Sequence, residues 1–321
     1  MHESRLYENG KVSICVPTYN RPNLICELLD SILAQTYENF EIIITDNSDN
    51  LNTNEIIKNK YSDQRIRYFK NEMNLGMGGN TIKALGFIKG EFFTFTPDDD
   101  IWIDNNKIKK QVNFLKQNDG INIVYSNAKS IDYDGNQLDD FVSIYLNKEF
   151  DILNADELLP GKATKYFLNI LTPVIRTEPL ILFFHESWFF ESEEYFCYYI
   201  AAMEKQIGFL YDCTVALREA EHYRTAVENG KIVNWAKRKD IRIRQMFNIY
   251  NTLTTLHPQT KEKLETQTVQ NFLAKHLIDQ ARGSRSIKLI LTTIATCYLF
   301  FRKFSIIKAL SIKNKKGKSF G

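Results

Sequence analysis

Three adjacent carboxylates, Asp98, Asp99 and Asp100, follow the mostly apolar run 92–95 after Thr96 and Pro97. A strand that delivers several negative charges to one point needs a compensating cation nearby. Mg²⁺ and Mn²⁺ prefer oxygen ligands and are often shared with the phosphates of a substrate. A solvated acidic turn at the start of the next helix would give the same triplet. The triplet therefore indicates a divalent-metal site if other polar residues converge on it.

Residues 12–127 alternate between strand-like and helix-like segments, which predicts an α/β fold with a mostly parallel sheet flanked by helices. Helices are predicted after Pro22, from residue 55 to 60, from the Gly-rich loop through Gly90, and from 105 to 117. Strands are predicted at 12–16 (ending at Pro17), 40–45, 66–70, 92–96 and 121–126. Ligands of such sheets sit beyond the carboxyl ends of the strands. We therefore expect one edge of the sheet to collect the polar groups at 17–19, 46, 74–76 and 98–100.

The composition is that of a folded protein, with 321 residues, 44% hydrophobic and 25% charged. Its five cysteines are odd in number and contain no C-x-x-C pair, which argues against a disulfide framework or a zinc site and favours a reducing compartment. The first ten residues are polar and predict no signal peptide, so a cytoplasmic location is expected. Residues 132–136 are typical of a hairpin turn.

The C-terminal region has its own charge pattern. No acidic residue follows Asp279, and removing the ten basic residues beyond it from 41 leaves 31 against 39 acids, a body of about −8. This asymmetry predicts an anionic partner, a membrane surface rather than nucleic acid. The apolar segment 287–301 is shorter than the ~20 residues of a membrane span. Either an interfacial amphipathic helix or a helix packed on the domain, with a basic end, fits it.

Four segments in fixed order, 12–22, 40–48, 74–76 and 98–100, resemble those of family 2 glycosyltransferases. The resemblance covers about residues 11–225. It implies an inverting enzyme with a GT-A (Rossmann-like) domain at 1–235 and a helical C-terminal region with the membrane-associating tail at 236–321. It also implies Mn²⁺ or Mg²⁺ as cofactor and a nucleotide-sugar donor. The resemblance favours UDP and leaves dTDP, GDP and CDP open.

The resemblance implies roles for five nucleotide-binding positions. Pro17 and Tyr19 would border the base, and Asp46 would accept a hydrogen bond from the base or the ribose, since an ionised carboxylate only accepts. Asn74 and Asn80 would line the nucleotide-sugar pocket. Turn formation alone would also explain the asparagines and Asp46.

The metal ligand within the acidic triplet has two assignments. Anchored on the following Ile101–Trp102, the family's metal-binding residue falls on Asp99, with Asp98 turned toward the ribose. A literal D-x-D pattern selects Asp98 and Asp100 instead. We favour Asp99 as the direct ligand, and Pro97 departs from the family pattern.

The family's general base is the second carboxylate of a Glu-Asp pair about ninety residues beyond the metal motif. The matching pair here is Glu193–Glu194, so Glu194 is the predicted base and Glu191 its rival. An acidic first turn of a helix would give the same residues. Further on, Arg218 and His222 match a late Arg-x-x-x-His element, which implies that His222 binds metal or the diphosphate.

The basic tail favours a lipid-linked saccharide as acceptor, at the inner face of the cell membrane, in the synthesis of O-antigen, capsule or another surface polysaccharide. A non-catalytic sugar- or membrane-binding relative is the alternative, because Glu194 and Pro97 depart from the pattern. A nucleotidyltransferase is disfavoured because Pro17-Thr18-Tyr19-Asn20 stands where its basic Gly-rich loop would be. The body carries no nucleic-acid-binding motif.

Overall fold

The computed structural model describes residues 7–138, 148–154, 170–180, 206–218, 225–228, 231–234 and 287–300, together with residues 270, 274–275, 277–278 and 281, which are helical. The chain divides into two compact units. The first contains Met1–Leu153, Lys165–Cys197 and Gln206–Trp235, and the second contains Asn154–Thr164, Tyr198–Lys205 and Ala236–Gly321. The predicted division into residues 1–235 and 236–321 stays a prediction.

The strands and helices alternate through the first half of the chain. The helices are α1 (Leu24–Leu33), α2 (Asn52–Lys60), α3 (Gly76–Leu85), α4 (Lys107–Gln117), α5 (Thr177–Leu180) and α6 (Ile287–Phe300). The strands are β1 (Glu8–Thr18), β2 (Phe40–Asp46), β3 (Ile66–Lys70), β4 (Gly90–Phe95), β5 (Ile101–Trp102), β6 (Ile123–Ile131), β7 (Phe150–Asn154), β8 (Val174–Arg176), β9 (Gln206–Arg218), β10 (Thr225–Glu228) and β11 (Lys231–Asn234).

The described strands form one large sheet in the order β3-β2-β1-β4-β8-β6-β9-β5, with β7 also pairing β9, and a separate β10–β11 hairpin. The block β3-β2-β1-β4 is parallel, as is the β6–β9 pair. β8 and β5 pair antiparallel with their neighbours, so the sheet is mixed beyond β4. The predicted α/β class with helices flanking a sheet is confirmed, and the parallel block is the part that carries the site.

The core explains why the apolar runs became central strands. Every residue of β2 is buried, because the strand has neighbours on both sides and packs into the main apolar cluster. α1 buries four residues at helical spacing in this cluster: Ile25, Leu28, Leu29 and Ile32.

Several predicted boundaries were wrong. β6 runs from Ile123 to Ile131 rather than from 121 to 126, and β4 runs from Gly90 to Phe95 rather than from 92 to 96. α3 ends at Leu85 rather than running to Gly90, which instead opens β4, where a Cβ would meet Lys11 O at 2.5 Å. β1 continues through Pro17 to Thr18. Thr96 N–H donates to Cys15 O, so the backbone N–H and C=O groups of odd-numbered residues at this end of β1 point toward β4. Pairing with β4 ends at Cys15, so the missing N–H of Pro17 interrupts no ladder.

The predicted C-terminal helix is present as α6, in which Thr293 and Cys297 are buried and Leu291 is exposed. Among the residues that the structure describes, no helix is both long and apolar enough to cross a membrane. The basic residues from 302 onward lie outside the described residues, so the predicted membrane contact stays a prediction.

α4 contains a completely buried lysine. Lys107 Nζ donates to Gln111 Oε1 at 2.6 Å and to Thr172 O at 2.8 Å, and lies 5.0 Å from the centre of the Trp102 ring. Burial lowers the pKa of Lys107 to about 7, against the opposing influence of Asp104. The folded chain therefore releases this proton near neutral pH, whereas the unfolded chain keeps it.

We expect the free energy of unfolding to rise by roughly 1.5 kcal/mol between about pH 7 and pH 8.5 through Lys107. Over this range the unfolded chain binds more protons than the folded one, which makes the slope of stability with pH positive. Lys107→Met should remove this increment. Urea unfolding of both proteins at the two pH values measures it, and equal pH dependence in the two proteins would contradict the assignment.

Candidate active site

The polar groups predicted to converge do meet at one edge of the sheet. Thr18 aligns with Asp46 and Asp46 with Lys70, so β1, β2 and β3 end at the same level. The acidic loop after β4 reaches this level too, because Thr18 Oγ1 donates to Asp98 Oδ2 at 2.6 Å. The carboxyl edge of the parallel block is therefore the candidate site.

The β1–α1 loop is shaped by Asn20, whose φ is +55°. Asparagine tolerates this left-handed conformation better than most residues. Its side chain pairs reciprocally with Asp49, donating to Oδ2 at 3.0 Å and accepting the Asp49 N–H at 3.1 Å. Tyr19 donates its hydroxyl to the same Asp49 oxygen at 2.9 Å. These contacts hold the Tyr19 ring at the edge and return the chain so that Arg21 faces the acidic loop.

A single nitrogen of Arg21 joins two members of the acidic triplet. Nη1 donates to Asp98 Oδ1 at 2.7 Å and to Asp99 Oδ2 at 2.8 Å. Asp98 also accepts the Tyr19 N–H at 3.3 Å. Burial raises the pKa of Asp99 to about 6, while Arg21 opposes the rise and Asp98 adds to it. The carboxylates therefore do meet a cation, as their charge requires, and that cation is Arg21.

Arg218, at the end of β9, holds the acidic triplet in place through hydrogen bonds. Its backbone N–H donates to Asp100 Oδ1 at 2.9 Å and its Nε to Asp99 O at 2.8 Å. The remaining guanidinium nitrogens reach the backbone oxygen of Tyr133 and, at 2.7 Å, Glu27 Oε2. Its side chain is only 2% exposed. Arg218 thereby ties the acidic loop to α1, β9 and the predicted 132–136 turn, which is confirmed by the Asp132–Asn136 backbone bond.

Asp46 is completely buried at the end of β2. One carboxylate oxygen accepts the Ser48 N–H at 2.6 Å, and the other accepts the hydroxyl of Tyr68 from β3. Burial and this bond to Asp46 raise the pKa of the Tyr68 phenol. Each oxygen of Asp46 thus already accepts one bond within the fold. A carboxylate has about four acceptor positions, and the predicted further bond from a nucleotide stays a prediction.

Buried asparagines connect the three loops at this edge. Asn80 Nδ2 donates to Thr18 O at 3.2 Å, while its Oδ1 accepts from Asn71 at 2.8 Å. Asn71 donates also to Asn47 Oδ1 at 2.7 Å, and Asn47 donates to Gly76 O at 3.0 Å. Asn74 closes a turn by accepting the Gly76 N–H at 2.8 Å. Asn80 and Asn74 thus shape the loops, and their predicted contact with a nucleotide-sugar stays a prediction.

The donor set fits a hard divalent cation. Asp98 and Asp99 offer adjacent carboxylate oxygens, side by side on one cationic nitrogen, which is the chemistry that Mg²⁺ and Mn²⁺ prefer. Within the described ranges, no group of three or more His, Cys, Asp or Glu side chains is arranged to hold a metal. Water and substrate phosphates could complete the coordination of a cation held here. Asp100 directs one oxygen to Arg218, so its role as a ligand stays a prediction.

Four predicted residues lie outside the described residues: Glu191, Glu193, Glu194 and His222. Their roles stay predictions. The sequence interpretation assigned no role to Arg21, Tyr68, Asn47 or Asn71. Arg21 and Arg218 both stand inside segments that carry the family resemblance, so a search for counter-ions of the acidic triplet would have found them. Tyr68 carries no such signal.

The fold is that of GT-A proteins. S. aureus TarS 1–349, in its crystal structure with UDP-GlcNAc, superposes with a TM-score of 0.67 at 17% identity, over 91% of this chain and 81% of that one. The mannosyltransferase PcManGT from Pyrobaculum calidifontis, in complex with GDP-Man and Mn²⁺, gives a TM-score of 0.50 at 16% identity over 91% of this chain and 81% of that one.

The sequence model of glycosyl transferase family 2 matches residues 13–167, and this segment contains the parallel block and the acidic triplet. Residues 13–167 of this chain are therefore similar to that family.

Curated relatives agree with this similarity. The Escherichia coli protein WfgD, a UDP-Glc:alpha-D-GlcNAc-diphosphoundecaprenol beta-1,3-glucosyltransferase, is 36% identical over 37% of this chain and 46% of its own length. A Campylobacter jejuni GalNAc(5)-diNAcBac-PP-undecaprenol beta-1,3-glucosyltransferase is 31% identical over 49% of this chain and 50% of its own length. The matched segments thus span half or less of these relatives.

Proposed function

We propose that this protein is an inverting glycosyltransferase that moves a sugar from a nucleotide-sugar to a hydroxyl group of a glycan acceptor. The observation that carries the proposal is the carboxyl edge of the parallel block. Thr18 and Asp46 end neighbouring strands there, and Thr18 donates to Asp98 of the acidic triplet. Nucleotide ligands bind at this edge of parallel sheets. The family similarity and the relatives named as glucosyltransferases support the same activity.

The donor is bound by residues at the carboxyl ends of β1 and β2 and in the acidic loop after β4. Pro17, Tyr19 and Asp46 contact the base and ribose, with Tyr19 held in place by Asp49. Asp98 and Asp99 would hold a divalent cation, for which Mn²⁺ in the mannosyltransferase complex provides a parallel. Such a cation, when bound, neutralises the charge that develops on the leaving diphosphate. UDP is the proposed nucleotide, as in the complex of TarS with UDP-GlcNAc.

Glu194 is the proposed general base. It accepts the proton of the acceptor hydroxyl while that oxygen attacks the anomeric carbon from the face opposite the diphosphate. The bond between the anomeric carbon and the diphosphate oxygen breaks in the same step, and the anomeric configuration inverts. Positioning of the hydroxyl and stabilisation of the leaving group then supply most of the rate enhancement.

We place the acceptor among lipid-linked saccharides of surface-polysaccharide synthesis. Two relatives are named for acceptors carried on undecaprenol diphosphate. The basic C-terminal residues would keep the protein at the anionic surface where such lipids reside. Co-sedimentation with anionic vesicles, compared with neutral ones, tests this location, and equal recovery from both would reject it.

Nucleotide binding is tested by thermal unfolding with UDP, dTDP, GDP and CDP, each with and without Mn²⁺. We expect one nucleotide to raise the apparent melting temperature in a Mn²⁺-dependent way, because a ligand that binds only the folded state stabilises it, by about 2.7 kcal/mol at 100 times its Kd. Asp99→Ala should lose the Mn²⁺-dependent part.

Asp63→Ala is the matched control, because Asp63 pairs with Arg65 before β3, away from the carboxyl edge. It should respond to nucleotide and Mn²⁺ as the wild type does. If no nucleotide shifts the wild-type transition, the transferase proposal fails and the non-catalytic alternative gains support.

A further inference from the structure

The acidic loop already holds a cation that belongs to the chain. Arg21 Nη1 lies 2.7 Å from Asp98 and 2.8 Å from Asp99, where the carboxylate side chains are 3% and 14% exposed. Such a nitrogen between two nearly buried carboxylates occupies the space in which a metal ion shared by both would sit. Two cations at this position would repel each other strongly in a partly desolvated site.

The Asp98 carboxylate and the Asp99 backbone have partners other than Arg21 that hold them in place. Asp98 Oδ2 is fixed by Thr18 and the Tyr19 N–H. The backbone oxygen of Asp99 is fixed by Arg218, which is itself buried and bonded to several groups. Arg21 differs from Arg218 because it lies on a loop and its side chain is 19% exposed, against 2% for Arg218.

We infer that Arg21 is an exchangeable counter-ion, an inference that rests on the proposed function. It neutralises Asp98 and Asp99 in the ligand-free protein and leaves them when a divalent cation and a nucleoside diphosphate bind together. The displaced guanidinium then binds the diphosphate oxygens, for which its planar fork of donors is suited. Metal alone must displace Arg21 without offering it a new partner, so metal and nucleotide bind cooperatively.

The test measures Mn²⁺ binding to the full chain by the electron paramagnetic resonance signal of free Mn²⁺, with and without UDP. Without UDP, Arg21→Ala should bind Mn²⁺ about tenfold more tightly than wild type, a coupling of the usual size between sites. The factor by which UDP tightens Mn²⁺ binding should fall by a similar amount. Arg21→Gln, which keeps a donor without the charge, should behave like Arg21→Ala and serves if that variant does not fold.

Arg65→Ala is the control, since Arg65 also pairs with an aspartate but lies before β3 at the other end of that strand. Its Mn²⁺ binding should equal that of wild type. Mn²⁺ affinity without UDP that is unchanged or weaker in both Arg21 variants would overturn the inference. Failure of UDP to bind the wild type would instead count against the proposed function. The two failures are distinguishable, because the difference in Mn²⁺ affinity between wild type and the Arg21 variants is measured without nucleotide.

Discussion

Glu194→Gln is expected to lower the rate of sugar transfer by about 10²–10⁴-fold while nucleotide binding persists. This is the usual contribution of a positioned general base. Glutamine keeps the size of the side chain and can still accept a hydrogen bond, but it cannot take the proton of the acceptor hydroxyl. The loss should therefore appear in kcat rather than in the affinity for the nucleotide. Transfer is measured as nucleoside diphosphate released per unit time, and binding as the thermal shift with Mn²⁺ and nucleotide.

Glu191→Gln and Glu193→Gln are the controls, because they make the same chemical change within three residues of Glu194. Both should retain most of the activity. If Glu191→Gln is the inactive variant, the base role moves to Glu191 and the alignment of the Glu-Asp pair shifts by three residues. Normal turnover in all three variants would contradict a base in this segment.

The parallel block could be predicted from sequence because its signals are local. β3 begins and ends at the predicted residues, and β2 differs from its prediction by one residue at Asp46. Every residue of β2 is buried, and burial on both faces favours a continuous apolar run, so for this strand the pattern and the fold follow from the same cause. The antiparallel strands were not predicted. β5 has two residues and β8 three, which is too short for any periodicity, and their pairing is set by distant partners in β9, β4 and β6.

The location of the candidate site could be predicted, but the hydrogen-bond partners of its residues could be predicted only in part. The carboxyl-end rule placed Asp46 and the acidic triplet together, because parallel strands in register must end at one edge. The partners of these residues come from tertiary contacts across long sequence separations, such as Arg218 with Asp99. The charge of the triplet showed that a cation was needed, but charge alone does not distinguish a metal ion from Arg21.

Arg218→Met is expected to lower the free energy of unfolding by about 3 kcal/mol. The substitution keeps much of the apolar length of the side chain but removes the donors to the backbone oxygens of Asp99 and Tyr133. A buried acceptor left without its partner costs about 1–3 kcal/mol. Glu27 adds little to the loss, since its side chain is 50% exposed and water can replace Arg218. Urea unfolding of the two proteins measures the difference.

Arg176→Met separates this stability effect from an effect on the site. Arg176 also bonds backbone oxygens, those of Leu115 at 2.6 Å and Ile121 at 3.3 Å, and pairs with Glu91. It aligns with Phe92 near the start of β4, away from the acidic loop that follows this strand. Both variants should be destabilised, but only Arg218→Met should also weaken Mn²⁺-dependent nucleotide binding, measured by titration at a temperature well below either melting temperature. Equal nucleotide responses in the two variants would limit Arg218 to holding the fold, whereas a selective loss would assign it the positioning of Asp99 as well.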